Sequence, residues 1–320
     1  MDELYSKILK DGYGIKLYNG IRTRTGFVCK TNQGAKEIRK VSNDISRLIS
    51  ESELRNYIKK RGFIISTFQK RENGDFFYEL NGTKYVLEES LQGNEMDFSN
   101  FSNACECAKT LAFFHNCTEG FKYQTMKNDA QKMIYTFQKR NLELNRIRKR
   151  IKESRKYSSI DLVIIENFET VSNMISKSLS IIEKHTNKNI NQKYIVCHNS
   201  FKGDNIRLLE NGKKTVTNLD KCSYNFNVAD VSDFLRRLIK TELLEFSDIY
   251  KILNSYKEIR NINENEKNIL KALLIFPQKF LTICNEYYNK RSVCISEAML
   301  ERFEKSAILI KKNYDFAQNL

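Results

Sequence analysis

The stretch from Cys197 to Asp220, CHNSFKGDNIRLLENGKKTVTNLD, constrains this chain more than any other. A polar loop, His198 to Asn205, runs directly into the short apolar strand IRLL. The Asn211-Gly212 pair then turns the backbone and TVTNLD returns as a second strand. Asn-Gly suits the two-residue turn whose twist matches that of the strands it joins, so the pattern predicts a β-hairpin. Its second strand closes on Thr217, Asn218, Leu219 and Asp220.

The loop resembles the catalytic loop of protein kinases, H-R-D-x-x-x-x-N, in which the Asp accepts the proton of the substrate hydroxyl and the Asn binds magnesium. His198, Ser200 and Asn205 fall at those offsets, with Ser200 where the Asp belongs. Kinase-like folds place a second metal-binding Asp at the end of the following hairpin, and Asn218 occupies that position here. Neither Ser200 nor Asn218 carries charge, whereas phosphoryl transfer depends on positioning and on neutralising charge around the phosphates. Loss of a general base alone costs about 10² to 10⁴ in rate, roughly 3 to 5 kcal/mol of barrier. Asp204 does not replace it by a slip of register, because Lys202 stands two residues before it and the Asn is adjacent. Asp220 is the neighbouring carboxylate able to reach a metal.

With 320 residues the chain has room for two lobes with separate cores. The first residues, MDELYSKILKDGYG, have neither the basic start nor the apolar core of a secretory signal, and the longest apolar run is Ala272 to Phe276. The expectation is a protein made in the cytoplasm without a signal peptide or a membrane span. Eight cysteines form no C-x-x-C pair and no zinc spacing, which favours buried thiols. A formal net charge of +15 suggests attraction to an anionic polymer or surface. In the densest basic stretch, residues 139–156, the apolar residues Phe137, Leu144, Ile147 and Ile151 recur at helical spacing, the mark of an amphipathic helix with a solvated basic face. No aromatic interleaving or nucleic-acid motif accompanies it, so nucleic acid is not the expected partner.

Residues 15–90 read as strands around one helix. Asn32-Gln33-Gly34 separates IRTRTGFVCKT from AKEIRKV, a helix follows at 42–60, and FIISTFQK, DFFYEL and KYVLEES form a meander with turns at Asn73-Gly74 and Asn81-Gly82. LQGNEMDF then reads as a hinge. Helices are expected at 99–116, 121–156, 160–186, 229–240, 246–260, 265–290 and 295–319, with His185 exposed in a polar helix end.

Taken together, TNQGAKEIRK, RGFIIS, YVLEESLQG, LAFFH, the His198 to Asn205 loop, the Asp230 region and the tail FPQKFLTICNEYYNK resemble the CotS-type spore coat protein family, a branch of the aminoglycoside-phosphotransferase-like kinase superfamily. The resemblance covers nearly the whole chain. It implies an α+β, bilobal protein-kinase-like fold, with a small antiparallel-sheet N-terminal lobe and hinge over 1–93 and a mainly helical lobe over 94–320. It also implies that Arg39, with Lys40 beside it, stands at the phosphate-binding lysine, and that Glu51 or Glu53 partners it. Glu88 and Ser90 of the hinge would face a nucleotide. Asn205, Asn218 and Asp220 would face a metal, and Asp230 would tie the following helix to the loop. His198 and Ser200 are degenerate catalytic positions, and no G-x-G-x-x-G phosphate loop is present. The expected function is that of a catalytically degenerate component of the endospore coat, without a cofactor and partnered by other coat proteins. The alternative is an active or residually active small-molecule phosphotransferase using ATP and Mg²⁺.

Overall fold

The computed structural model describes residues 2–24, 26–41, 44–123, 126–186, 194–289 and 297–320. Cys294, one of the eight cysteines, lies outside them. The chain folds into two compact units, the first formed by residues 1–97, 113–127 and 200–222 and the second by 98–112, 128–199 and 223–320.

The first unit opens with a helix, α1 (Asp2–Tyr13), ahead of the strands β1 (Leu17–Arg22), β2 (Phe27–Thr31) and β3 (Gly34–Val41). After α2 (Ile45–Lys60) come β4 (Phe77–Leu80) and β5 (Thr83–Glu89). The five strands form one antiparallel sheet in the order β1-β2-β3-β5-β4. The β4–β5 turn works as its Asn-Gly pair predicts, with Asn81 at φ 50° and Gly82 at φ 70°.

Successive residues of a strand face opposite sides of the sheet, and β3 uses this to separate two chemistries. Ile38 joins Ile8, Leu9, Phe27 and Leu87 in an apolar cluster that includes α1. Arg39 faces the other side, opposite Val86, toward the face where Leu48 of α2 packs with Phe68 and Val86. The buried stripe of α2 reads Leu48, Glu51, Leu54, Arg55 and Ile58, so two charged side chains replace core residues on that face.

Residues 63–70 depart from the expected strand. Phe68 makes one bridge to Glu88, and the rest forms no strand. Side chains take the carbonyls a neighbouring strand would use: Arg55 donates to Ser66 O at 2.9 Å, and Thr215 donates to Ile64 O at 2.5 Å. The expected hinge carries a strand as well, β6 (Gly93–Glu95). It pairs with β8 (Ile206–Leu209) of the predicted hairpin, whose other strand is β9 (Lys214–Val216).

The second unit is mostly helical. α3 (Phe101–Thr118) gives its first turns to this unit and its last to the first. α4 (Met133–Lys152) starts later than expected, because Asp129 pairs with the strand β10 (Ser223–Asn225): its N–H donates to Tyr224 O at 2.9 Å, and its carboxylate accepts from Ser223 Oγ at 2.6 Å. Phe137, Leu144, Ile147 and Ile151 of α4 are buried while Lys149, Arg150 and Lys152 are exposed, as the spacing predicts. α5 (Ser159–Thr186) leads to β7 (Ile195–Cys197), paired with β10, and then to α6 (Asn227–Thr241) and α7 (Phe246–Lys257). His185 is half-buried against Asn265 at 2.7 Å, and not exposed as expected.

The helix expected at 265–290 is two, α8 (Glu264–Ile275) and α9 (Gln278–Asn289), and α10 (Glu297–Gln318) ends the chain. The break lies at Pro277, which forces Phe276 into extended backbone at ψ 122° and so stops α8. Phe276 then stacks on Phe137, ring centroids 3.5 Å apart. Among the described residues, no helix is long and apolar enough to cross a membrane.

Candidate functional site

The polar loop is held at its start by Asp230, in the first turn of α6 and 1% exposed. One carboxylate oxygen accepts from the N–H of His198 at 2.6 Å, and the other from the N–H of Asn199 at 2.7 Å. Asn199 is thereby kept in the left-handed region at φ 55°. His198 itself is fully buried.

From Ser200 onward the loop belongs to the first unit, where Ser200, Asn205 and Asn218 come together. Asn205 is 2% exposed, and its Nδ2 donates to Ser200 O at 2.8 Å and to Ser200 Oγ at 3.3 Å. Asn218 sits in the left-handed region at φ 60°, ψ 57°, and its Nδ2 donates to Asn205 Oδ1 at 2.8 Å. Hence the oxygen that Asn205 would offer a cation is engaged by an amide N–H. Asp220 is exposed on the turn after β9, and its backbone carbonyl accepts from Arg47 of α2.

Ser200, Asn205, Asn218 and Asp220 share a cavity of about 370 Å³ with Arg39 and Lys40. A neighbouring cavity of about 290 Å³ is lined by Glu88, Ser90, Leu91 and Gln92, and Arg39 and Asn218 line it too. Apart from His198, which is fully buried and lines neither, the residues selected from the sequence thus fall on two cavities with a common wall.

That wall is a buried charge network. Arg39 Nε meets Glu88 at 2.5 Å and its Nη2 meets Glu51 at 3.1 Å, while Arg55 meets Glu51 at 2.8 Å and Glu88 at 2.9 Å. Ser66 Oγ donates to Glu88 as well. Burial pushes the Glu88 carboxyl up, but Arg39 and then Arg55 outweigh it and hold the group down at about 2. Glu51, not the exposed Glu53, is the helix partner of Arg39.

Arg55 and the remaining cations of the larger cavity escaped the sequence reading. The signal for Arg55 is its spacing of four from Glu51 inside an otherwise apolar stripe. Arg24 lies in the β1–β2 turn, the place of the missing glycine-rich loop, and donates to Asp204, which also accepts from Lys202 at 2.8 Å. Burial would raise the Asp204 carboxyl, yet hydrogen bonds from Lys202 and Arg24 keep it below its usual range.

Solved structures share this fold. An aminoglycoside phosphotransferase from Alicyclobacillus acidocaldarius is similar over 95% of this chain and 91% of its own, at a TM-score of 0.81 and 16% identity. Spectinomycin phosphotransferase APH(9)-Ia covers 99% and 98% at a TM-score of 0.62 and 12% identity. Choline kinase LicA from Streptococcus pneumoniae covers 97% and 98% at a TM-score of 0.53 and 12% identity. At such identities the likeness is one of fold, so the class is that of the kinase-like proteins, with a five-stranded antiparallel sheet and a mostly helical remainder. Residues 6–319 match the family described as "Spore coat putative kinase YutH", and the chain belongs to that family.

Proposed function

We propose that this protein is a catalytically degenerate member of its family, acting as a structural or interaction component of the endospore coat alongside other coat proteins. The observation that carries the reading is the hydrogen bond from Asn218 Nδ2 to Asn205 Oδ1. Mg²⁺ is a hard cation that takes carboxylate and phosphate oxygens in near-octahedral geometry. Here two neutral amides satisfy each other at the metal positions, and of the two carboxylates that line the cavity with them, Glu51 and Asp220, Glu51 is engaged by Arg39 and Arg55. That donor set does not fit Mg²⁺.

Ser200 supports the same conclusion, since a hydroxyl at the position of the catalytic Asp has no base character near neutral pH. On the nucleotide side, Arg39 keeps a positive charge at the phosphate-binding position, but its fork is occupied by Glu51 and Glu88. Glu88 is thereby turned into the charge network, away from the role in nucleotide binding expected of it.

The second reading, an Mg-ATP-dependent small-molecule phosphotransferase, is favoured by one observation: the Asp220 carboxylate stands exposed in a cavity rich in cations. Purified protein assayed with Mg-ATP against sugar, choline-like and aminoglycoside acceptors separates the two. The non-catalytic reading expects no turnover above background, together with altered coat assembly or spore resistance when the gene is deleted. Turnover that Asn205→Ala abolishes would overturn it.

A further inference from the structure

The outer side of α4 carries more than the solvated polar residues a surface helix needs. Opposite the buried Phe137, Leu144, Ile147 and Ile151, steps of four and three residues place Tyr135, Lys139, Leu142, Arg146 and Lys149 along one line, and all five are exposed. At the helical rise that line is about 21 Å long. Tyr135 is 67% exposed and Leu142 58%, against 7% for Phe137 and 1% for Leu144. One exposed apolar residue is ordinary. Two of them a heptad apart, on the outermost line of a helix and with cations between and beyond them, contribute nothing to folding and point to a partner.

The cations of α4 divide into two sets. Arg140 is held by Glu143, which also accepts from Asn285 of α9, while Arg148 lies over the ring of Phe168 and Arg150 over that of Tyr288. These three are engaged with the protein. Lys139 and Arg146 enter no ion pair among the described residues, and Lys149 meets Glu153 at 3.8 Å with both groups open to water. Glu153 is the one acid between residues 144 and 156, and the exposed Lys152, Arg155 and Lys156 extend the positive charge toward Tyr157, itself 50% exposed.

We infer that this face of α4 docks on an anionic phospholipid surface, with the helix lying in the plane of the headgroups and Tyr135 and Leu142 as its anchors. Charge alone suits any polyanion, but a soluble one offers a projecting leucine nothing to enter. A bilayer interface takes both kinds of side chain: the ring and the aliphatic tip sink below the headgroups while ammonium and guanidinium groups stay among the phosphates. The helix lies on the bilayer and does not span it, in keeping with the hydropathy of the described helices. α4 carries none of the residues of the candidate site, so the inference stands apart from the outcome for ATP turnover.

The test is cosedimentation of the full chain with vesicles of phosphatidylcholine mixed with phosphatidylserine, and with vesicles of phosphatidylcholine alone. Binding is expected to the mixed vesicles only. Lys139→Ala/Arg146→Ala should weaken it by about thirtyfold, at about fivefold per cation, and Tyr135→Ser/Leu142→Ser by about tenfold. All four positions are exposed, so the fold should survive both changes. Lys59→Ala/Lys60→Ala, which removes the same charge from the exposed end of α2, should change binding by less than about twofold. The chain has no tryptophan, so Tyr135→Trp places a lone fluorophore at the anchor, and its emission should move to the blue with the mixed vesicles. No binding to the mixed vesicles, equal binding to phosphatidylcholine alone, or an equal loss in Lys59→Ala/Lys60→Ala overturns the inference. Binding that Tyr135→Ser/Leu142→Ser leaves intact, with the Tyr135→Trp emission unmoved, overturns it too, because charge alone would then draw the protein to any polyanion.

Discussion

Asn218 Nδ2 and Asn205 Oδ1 lie 2.8 Å apart, so the two side chains at the proposed metal positions close on each other. Asn218→Asp reverses this. In EDTA the new carboxylate faces the Asn205 oxygen, losing a hydrogen bond and adding repulsion, and the variant should be less stable by about 1 to 3 kcal/mol. Mg²⁺ should then stabilise the variant, by about 2.7 kcal/mol at a hundredfold excess over its Kd, and leave the natural protein unmoved. Chemical denaturation with and without Mg²⁺ measures both. Equal Mg²⁺ stabilisation of the two proteins would refute the account of the amide pair.

Arg39 serves two carboxylates at once, Glu88 through Nε and Glu51 through Nη2. A lysine has one ammonium and cannot reproduce that fork. Arg39→Lys therefore leaves a buried carboxylate under-satisfied and should cost about 3 to 5 kcal/mol, read as a lower urea midpoint at unchanged slope. Glu53→Gln, on the exposed face of the same helix, should stay within about 0.5 kcal/mol. Similar losses in the two variants would mean that the network does not stabilise this face.

The Glu88 carboxyl, held at about 2 against an ordinary 4.5, ties stability to acid pH. Its folded value is depressed, so its contribution is complete above pH 4.5 and is lost as pH falls toward 2. A gap of that size corresponds to about 3 kcal/mol. Glu88→Gln should be less stable at neutral pH, and the difference from the natural protein should shrink across that acid window. A constant difference across the window would assign the stabilisation to groups other than Glu88.

Asp230 accepts both loop amides, from His198 and Asn199. Asp230→Ala strands two donors in the interior and should cost about 2 to 5 kcal/mol, while Asp230→Asn keeps one acceptor oxygen and should cost less. Amide hydrogen exchange at His198 and Asn199 should accelerate in the alanine variant more than the global stability change explains. Exchange that merely follows global unfolding would show that Asp230 acts on the fold as a whole and not on the loop.

Part of this fold was legible because its cues act over a few residues. Asn81-Gly82 supplies two positive φ angles and closes the β4–β5 turn, and the spacing of Phe137, Leu144, Ile147 and Ile151 marks the buried face of α4. Pro277 announces the end of α8, although the apolar run on both sides favours one long helix. Residues 63–70 have strand composition, yet Arg55 and Thr215 claim their carbonyls from distant positions.

The sequence by itself determined the chemistry available at the site. A serine and an asparagine stand where the family resemblance expects acids, on a loop and a hairpin whose turn is wider than the two residues expected, running from Leu209 to Lys214 with Gly212 at φ 74°. Only the tertiary structure decided how those groups are used. It turned Asn218 onto Asn205, chose Glu51 over Glu53, and bound Glu88 to Arg39 and Arg55. The physical reason is that hydrogen bonds and ion pairs between residues far apart in the chain depend on which strand face meets which helix stripe, and that is settled where β3 and β5 pack against α2.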